Sequence, residues 1–316
     1  MDNNIKQWLK THGFKEFELT DTLADASSRE YFRIRDNNQS YIVMDSSRML
    51  ESLDDFVSMQ QRLISSDVRV PEILKSDMKM GYLVLEDFGS THLWDIATKQ
   101  DAKAYYQKAI DEICKIQHCS SDGLSLYDEE FLLFEMDLMQ EWYLEKYLKI
   151  SLDIKAKELI SKTVLAIKDE VLSQKQGVVV HRDFHSKNLM ILDDDIGVID
   201  FQDAKVGAIT YDVVSLLRDL YIELDSEFVY EMLSYYKQKA NLEVDDEMLV
   251  RWFDFMGLQR HIKVLGIFAR LHLRDGKEAY LNYLPQTLKY ILDIASRYES
   301  TKEFALWLED ITKEKI

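Results

Sequence analysis

The hydrophobic period of this chain changes once, near Gly89, and that change limits its fold more than any other feature. Ahead of it, short apolar runs alternate or cluster as strands do: residues 17–22, Tyr31-Phe32-Arg33-Ile34-Arg35, Ser40-Tyr41-Ile42-Val43-Met44, Val70-Pro71-Glu72-Ile73-Leu74 and Gly81-Tyr82-Leu83-Val84-Leu85. One amphipathic helix is predicted among them, over 53–65, with Leu53, Phe56, Val57, Leu63 and Ile64 on its apolar face. Beyond Gly89 a helical period takes over at 93–117, 131–148 and 152–172, and again from Tyr211 onward. Short strands are expected only at 177–180, 191–192 and 196–201. The pattern predicts an α+β chain: a strand-rich part over residues 1–87 and a mostly helical part over 88–316.

Composition removes several classes of function. The formal net charge is −18, and a surface that holds nucleic acid needs clustered Lys and Arg, so no nucleic-acid partner is expected. No stretch approaches the ~18 uninterrupted apolar residues of a membrane helix. Residues 1–15 are mixed and polar, with no signal-like apolar run. The expectation is a cytoplasmic protein with no membrane partner. Cys114 and Cys119, five residues apart on a predicted helix end, do not make a disulfide framework.

Chemistry concentrates in His181-Arg182-Asp183-Phe184-His185-Ser186-Lys187-Asn188, followed twelve residues after Asn188 by Asp200 in Ile199-Asp200-Phe201. The skeleton is H-x-D-x-x-x-x-N with a second Asp at a strand end. Phosphoryl transfer from ATP needs a carboxylate that orients a hydroxyl and takes its proton, and oxygen ligands for Mg2+ against the phosphates. Asp183 fits the first need; Asn188 and Asp200 fit the second. Each alone reads as an ordinary loop residue. In this order, between apolar runs, the set points to a kinase.

With these residues the chain resembles the aminoglycoside and choline phosphotransferase superfamily, relatives of the protein kinases. The position where protein kinases carry a phosphate-binding Lys on the third strand holds Met44, followed by Asp45. That departure narrows the resemblance to the bacterial anomeric kinases of N-acetylmuramate and N-acetylglucosamine. Further similar segments are Asp25-Ala26-Ser27 with Arg29, 85–89, 200–204, 211–219 and 259–271. The resemblance implies a bilobal protein-kinase-like fold, with an antiparallel-sheet N-lobe that binds nucleotide and a helical C-lobe that binds substrate. It implies an ATP- and Mg2+-dependent enzyme acting on a small-molecule amino sugar.

Other assignments rest on the resemblance. Ser27, Ser28 and Arg29 would meet the phosphates in place of a glycine-rich loop, against the reading of a plain turn. Glu86 and Phe88 mark the lobe crossing, where backbone groups would meet adenine. Gln202 and Asp203 would lie near substrate, Asp203 being alternatively near Mg2+ or a plain solvated loop residue, and His181 and Asp212 would brace the catalytic loop. Arg260, Lys263, Arg270 and Arg274 fall within about 80° on one helix face. They form either ordinary ion pairs or a basic wall of the sugar pocket, with Arg260 and Lys263 meeting a lactyl carboxylate. Two other readings stay open: a kinase for choline or an aminoglycoside, and a catalytically silent kinase-like binding module.

Overall fold

The computed structural model describes residues 1–23, 29–98 and 102–313. They form two compact units, one of residues 1–108 with 188–203, the other of 109–187 with 204–316.

The first unit is built on a five-stranded antiparallel sheet of β1 (Glu18–Leu23), β2 (Glu30–Asp36), β3 (Gln39–Asp45), β4 (Ile73–Asp77) and β5 (Tyr82–Glu86), in the order β1-β2-β3-β5-β4. The period-2 pattern is its cause. Phe32 and Ile34 of β2 turn inward while Arg33 and Arg35 do not. Helix α1 (Asn3–Thr11), which the sequence reading lacks, packs Ile5, Trp8 and Leu9 against Phe32, Ile34, Val43, Tyr82 and Val84. Its apolar stripe is only these three residues wide, but Asp2 caps it, accepting from the N–H groups of Asn4 and Ile5. Helix α2 (Leu53–Ser65) has the predicted bounds and buries Leu53, Phe56, Met59 and Leu63.

β4 begins three residues later than the predicted run at 70–74, because Pro71 has no N–H to give a ladder. The hairpin of β7 (Leu189–Leu192) and β8 (Asp195–Val198) belongs to this first unit, although it follows the catalytic motif. Its Val198 N–H donates to the Arg69 carbonyl at 2.8 Å, and Ile191 N–H to Thr91 at 2.8 Å. A Cβ on Gly197 would lie 2.4 Å from the Phe88 ring, so this position takes only glycine. The compact unit is therefore larger than residues 1–87: it also takes in 88–108 and the hairpin.

The second unit is organised around α9 (Asp246–Asp275), thirty residues long. It contacts α5 (Glu129–Leu138), α6 (Ile154–Ser173), α7 (Tyr211–Leu217) and α10 (Leu284–Ala295). From Phe253 to Gly266 every residue of α9 is buried, polar ones included, as expected for a helix enclosed on all sides. Asp245 caps its start and Gly276, at φ +67°, ends it. A Cβ on Gly266 would fall 2.3 Å from the Leu138 carbonyl carbon, so α9 and the end of α5 touch backbone to backbone there. At that contact α5 runs into a π-helical stretch, Met139–Tyr147, where the period of 131–148 predicts one continuous α-helix. A two-stranded ladder of β6 (Val178–Val180) and β9 (Lys205–Gly207) flanks the catalytic loop. Among the described residues, no helix is long and apolar enough to cross a membrane.

Candidate active site

The loop after β6 carries Asp183 in a backbone shape that ordinary residues avoid. Arg182 has φ +78°, a region that costs a non-glycine residue on the order of 1–3 kcal/mol. The buried Asp212, in the first turn of α7, holds it there. One carboxylate oxygen accepts from His181 N–H at 2.7 Å and the other from Arg182 N–H at 3.0 Å. The His181 ring accepts from Asp183 N–H through Nδ1 at 3.3 Å. Both bracing roles implied by the resemblance are present in this geometry. A second carboxylate completes the hold: Asp219 accepts from Ser186 N–H and Tyr221 N–H, each at 2.8 Å.

Asp183 is partly buried and opens on a cavity of about 110 Å³, shared with His185, Arg218, Asp219, Tyr221, Arg260 and Lys263. Burial alone would push its carboxyl up, but the charges of Lys263, His185, Arg260 and Arg182 outweigh burial and hold it below the usual carboxylate range. Asp183 is thus ionised at neutral pH, as a hydroxyl-orienting base must be. His261 on the cavity wall is neutral, pushed down to about 3 by burial, and stacks on Tyr290 at 4.8 Å.

The basic stripe divides along α9. Arg274 is exposed and pairs with its neighbour Asp275 at 2.7 Å, so its reading as an ordinary ion pair holds. Arg260 and Lys263 are buried and line the cavity. Lys263 Nζ is engaged by Glu135 at 2.9 Å and by the Tyr211 hydroxyl at 3.2 Å. Arg260 donates from Nη1 to the Arg182 carbonyl at 2.8 Å and lies over the Tyr211 ring.

In the first unit, Asn188 and Asp200 are neighbours, as the motif predicts. The Asn188 amide nitrogen lies 3.2 Å from an Asp200 oxygen, and Ile199 N–H donates to the Asn188 carbonyl at 3.0 Å. Asp200 has φ +65°. Gln202 donates to the other Asp200 oxygen at 2.8 Å, and more distantly to the exposed Asp203 at 3.5 Å. One carboxylate beside one amide is a hard-oxygen donor set. Among the described residues no cluster of three His, Cys, Asp or Glu forms a full metal cage. That composition suits Mg2+, which takes few protein ligands and the rest from phosphate and water.

The nucleotide-side residues fare unevenly. Ser27 and Ser28 lie outside the described residues. Arg29 is buried, and its guanidinium donates to Ser46 Oγ at 3.1 Å and to Ser52 Oγ at 2.9 Å, so its visible bonds tie loops inside the first unit. Met44 is fully buried in the sheet core. Glu86 makes a two-pronged ion pair with Arg69, whose hydrogen bonds hold its carboxyl below the usual range. Phe88 lies under the Arg69 guanidinium at 4.6 Å. Both side chains are tied to Arg69 within the first unit.

Two features escape the sequence reading. One is Glu135, a buried acid on α5 bonded to Tyr127, Arg182, Gln259 and Lys263. The visible signal is a single acid within Phe131-Leu132-Leu133-Phe134-Glu135-Met136. The other is Lys187, whose ammonium lies 3.9 Å from the Tyr221 ring centre and donates to the Tyr283 hydroxyl at 3.1 Å.

The structure thus shows an ionised carboxylate, Asp183, on a braced loop, and an amide–carboxylate pair, Asn188 and Asp200, the latter after a strand. Residues 19–248 match the phosphotransferase enzyme family. An N-acetylmuramate/N-acetylglucosamine kinase of Neisseria meningitidis serogroup B is 38% identical, over 99% of this chain and 96% of its own. One of the same name from Pseudomonas aeruginosa is 35% identical, over 94% and 90%. Among solved structures, the ADP-bound aminoglycoside phosphotransferase APH(2'')-Ib superposes with a TM-score of 0.63 at 17% identity, over 92% of this chain and 98% of that one. Choline kinase LicA of Streptococcus pneumoniae gives 0.64 at 15%, over 92% and 98%. The chain belongs to the phosphotransferase enzyme family. It is a kinase, moving a phosphoryl group to a hydroxyl acceptor, with the α+β fold of that family.

Proposed function

We propose that this enzyme uses ATP and Mg2+ to phosphorylate the anomeric hydroxyl of N-acetylmuramate and N-acetylglucosamine. The observation that carries the acceptor assignment is the match over nearly the whole chain to N-acetylmuramate/N-acetylglucosamine kinases. In the cavity at Asp183, Arg218 pairs with Asp254 and Lys263 with Glu135, so Arg260 is the lining guanidinium with no carboxylate partner among the described residues, which suits a neutral or singly anionic sugar. Choline would need an open aromatic face, and the Tyr221 face carries Lys187. The names of the relatives matching over nearly the whole chain favour the same sugars.

In this reading Asp183 orients the acceptor hydroxyl and takes its proton. Asn188 and Asp200 would hold Mg2+, which supplies charge neutralisation on the transferring phosphates. The motif spacing supports joining these three residues in one reaction. Residues 1–87 would serve the nucleotide, with Ser27, Ser28, Arg29, Glu86 and Phe88 near it. Residues 88–316 would serve catalysis and the sugar, and the compartment would be the cytoplasm. Gln202 and Asp203 would lie near substrate, as would Arg260 and Lys263.

The test is ATP consumption across N-acetylmuramate, N-acetylglucosamine, its methyl glycoside, choline and an aminoglycoside, with the product position read by phosphorus and proton NMR. Sugar 1-phosphates are expected, with an inert methyl glycoside. A 6-phosphate, or turnover of the methyl glycoside, defeats the anomeric assignment.

A further inference from the structure

The residue before the base, Arg182, is held at four points. Its N–H goes to Asp212, its carbonyl accepts from Arg260, its guanidinium lies 5.3 Å from the Phe131 ring centre, and Nη2 bonds Glu135 at 3.1 Å. The first two hold the backbone; the last two hold the side chain and both come from α5, and of these Glu135 supplies the charged partner. Glu135 is 4% exposed and fully committed: one oxygen takes Arg182 and Lys263, the other Tyr127 and Gln259. Burial would raise its carboxyl, but Lys263, Tyr127 and Arg182 lower it further than burial raises it, so it stays charged.

The geometry points to Glu135 as a positioning residue for phosphoryl transfer, fixing Asp183 through Arg182. This rests on Asp183 being the base. A residue at φ +78° has no local preference for its conformation, so the loop keeps its shape only as long as side-chain anchors hold it. Freed from Glu135, the Arg182 guanidinium would swing, and Asp183 one residue on would lose its aim. Misplacement of about 1 Å costs on the order of a hundredfold in rate without disturbing ground-state binding.

Glu135→Gln keeps the shape and removes the charge. Its kcat is expected to fall about tenfold to a hundredfold, with the KM for ATP and for N-acetylglucosamine within about threefold of wild type. Because Glu135→Gln leaves Lys263 without its ion pair and some of the protein unfolded, Arg182→Met is measured beside it. There Glu135 keeps Lys263 and Tyr127, and the same kcat loss is expected. The double variant should lose no more than the worse single one, because both act on one link. Folded single variants with near-native kcat overturn the proposal, as do losses confined to KM or losses that multiply in the double variant. Asp183→Asn separates the two levels. If it is inactive while Arg182→Met is native-like, only the Glu135 role fails. If Asp183→Asn is itself near native, the base assignment falls and this proposal with it.

Discussion

Arg260 and Lys263 lie one turn apart on the same helix face, three residues from each other, yet the structure gives them different work. Lys263 is paired with Glu135 and bonded to Tyr211, whereas Arg260 bonds the Arg182 carbonyl and Tyr211 and, among the described residues, has no carboxylate partner. A lactyl carboxylate entering the cavity would therefore be met by Arg260. Changing Arg260 to Ala is expected to lower kcat/KM for N-acetylmuramate by about tenfold to a hundredfold more than for N-acetylglucosamine, since a charge-assisted contact contributes about 1.5–3 kcal/mol. Lys263→Met should lower both sugars alike. Specificity ratios for the two sugars decide the matter, and equal losses in Arg260→Ala would assign it to the catalytic loop alone. At this scale much was legible in sequence. His181, Asp183, Asn188 and Asp200 form a spaced pattern, and Asp212 came with the family resemblance; the fold brings His181, Asp183 and Asp212 together and sets Asn188 beside Asp200. Glu135 was not legible, because its partners come from three separate segments and meet only in three dimensions. Arg29 has the right charge, but its visible partners are Ser46 and Ser52, which no local pattern announces.

Elements were read well where one face is apolar and the other wet. β2 and α2 are of this kind, and α2 keeps its predicted bounds of 53–65; α1 is too, but its stripe of three apolar residues is too short to read. Reading failed where packing overrides the period. The 131–148 segment carries a plain helical repeat, yet it turns π-helical at Met139, where Gly266 of α9 lets the two backbones meet. Strand β9 is only three residues long and pairs with β6 across 24 intervening residues, so no local signal marks it. The close approach itself is testable. A methyl on Gly266 would meet the Leu138 backbone at 2.3–2.5 Å, and neither helix has a flexible side chain there to yield. Gly266→Ala is expected to destabilise the protein by about 1–3 kcal/mol or more, seen as a lowered denaturant midpoint with an unchanged slope. An unaltered midpoint would mean that the helices separate freely.

Over the whole molecule the net charge opposes the approach of an anionic substrate. The chain carries −18, while the cations that would receive an anionic sugar are buried beside Asp183. Salt screens the exposed charge far more than the buried one. Raising ionic strength from about 10 to 150 mM is therefore expected to increase the kcat/KM of N-acetylmuramate relative to that of neutral N-acetylglucosamine, since ATP is common to both. A falling ratio would show that the inner cations already dominate encounter.

Lys187 also bears on how such a kinase is inhibited. Its ammonium rests on the Tyr221 ring and bonds Tyr283, so this aromatic ring on the wall of the Asp183 cavity already holds a cation. That cation is tethered by four methylenes, and its effective concentration at the ring is in the millimolar range or above, as for short flexible linkers. A quaternary-amine inhibitor shaped for an aromatic box would have to displace a group that never leaves the protein. Useful ligands for this pocket are neutral or acidic, and their selectivity over cation-binding relatives follows from one lysine.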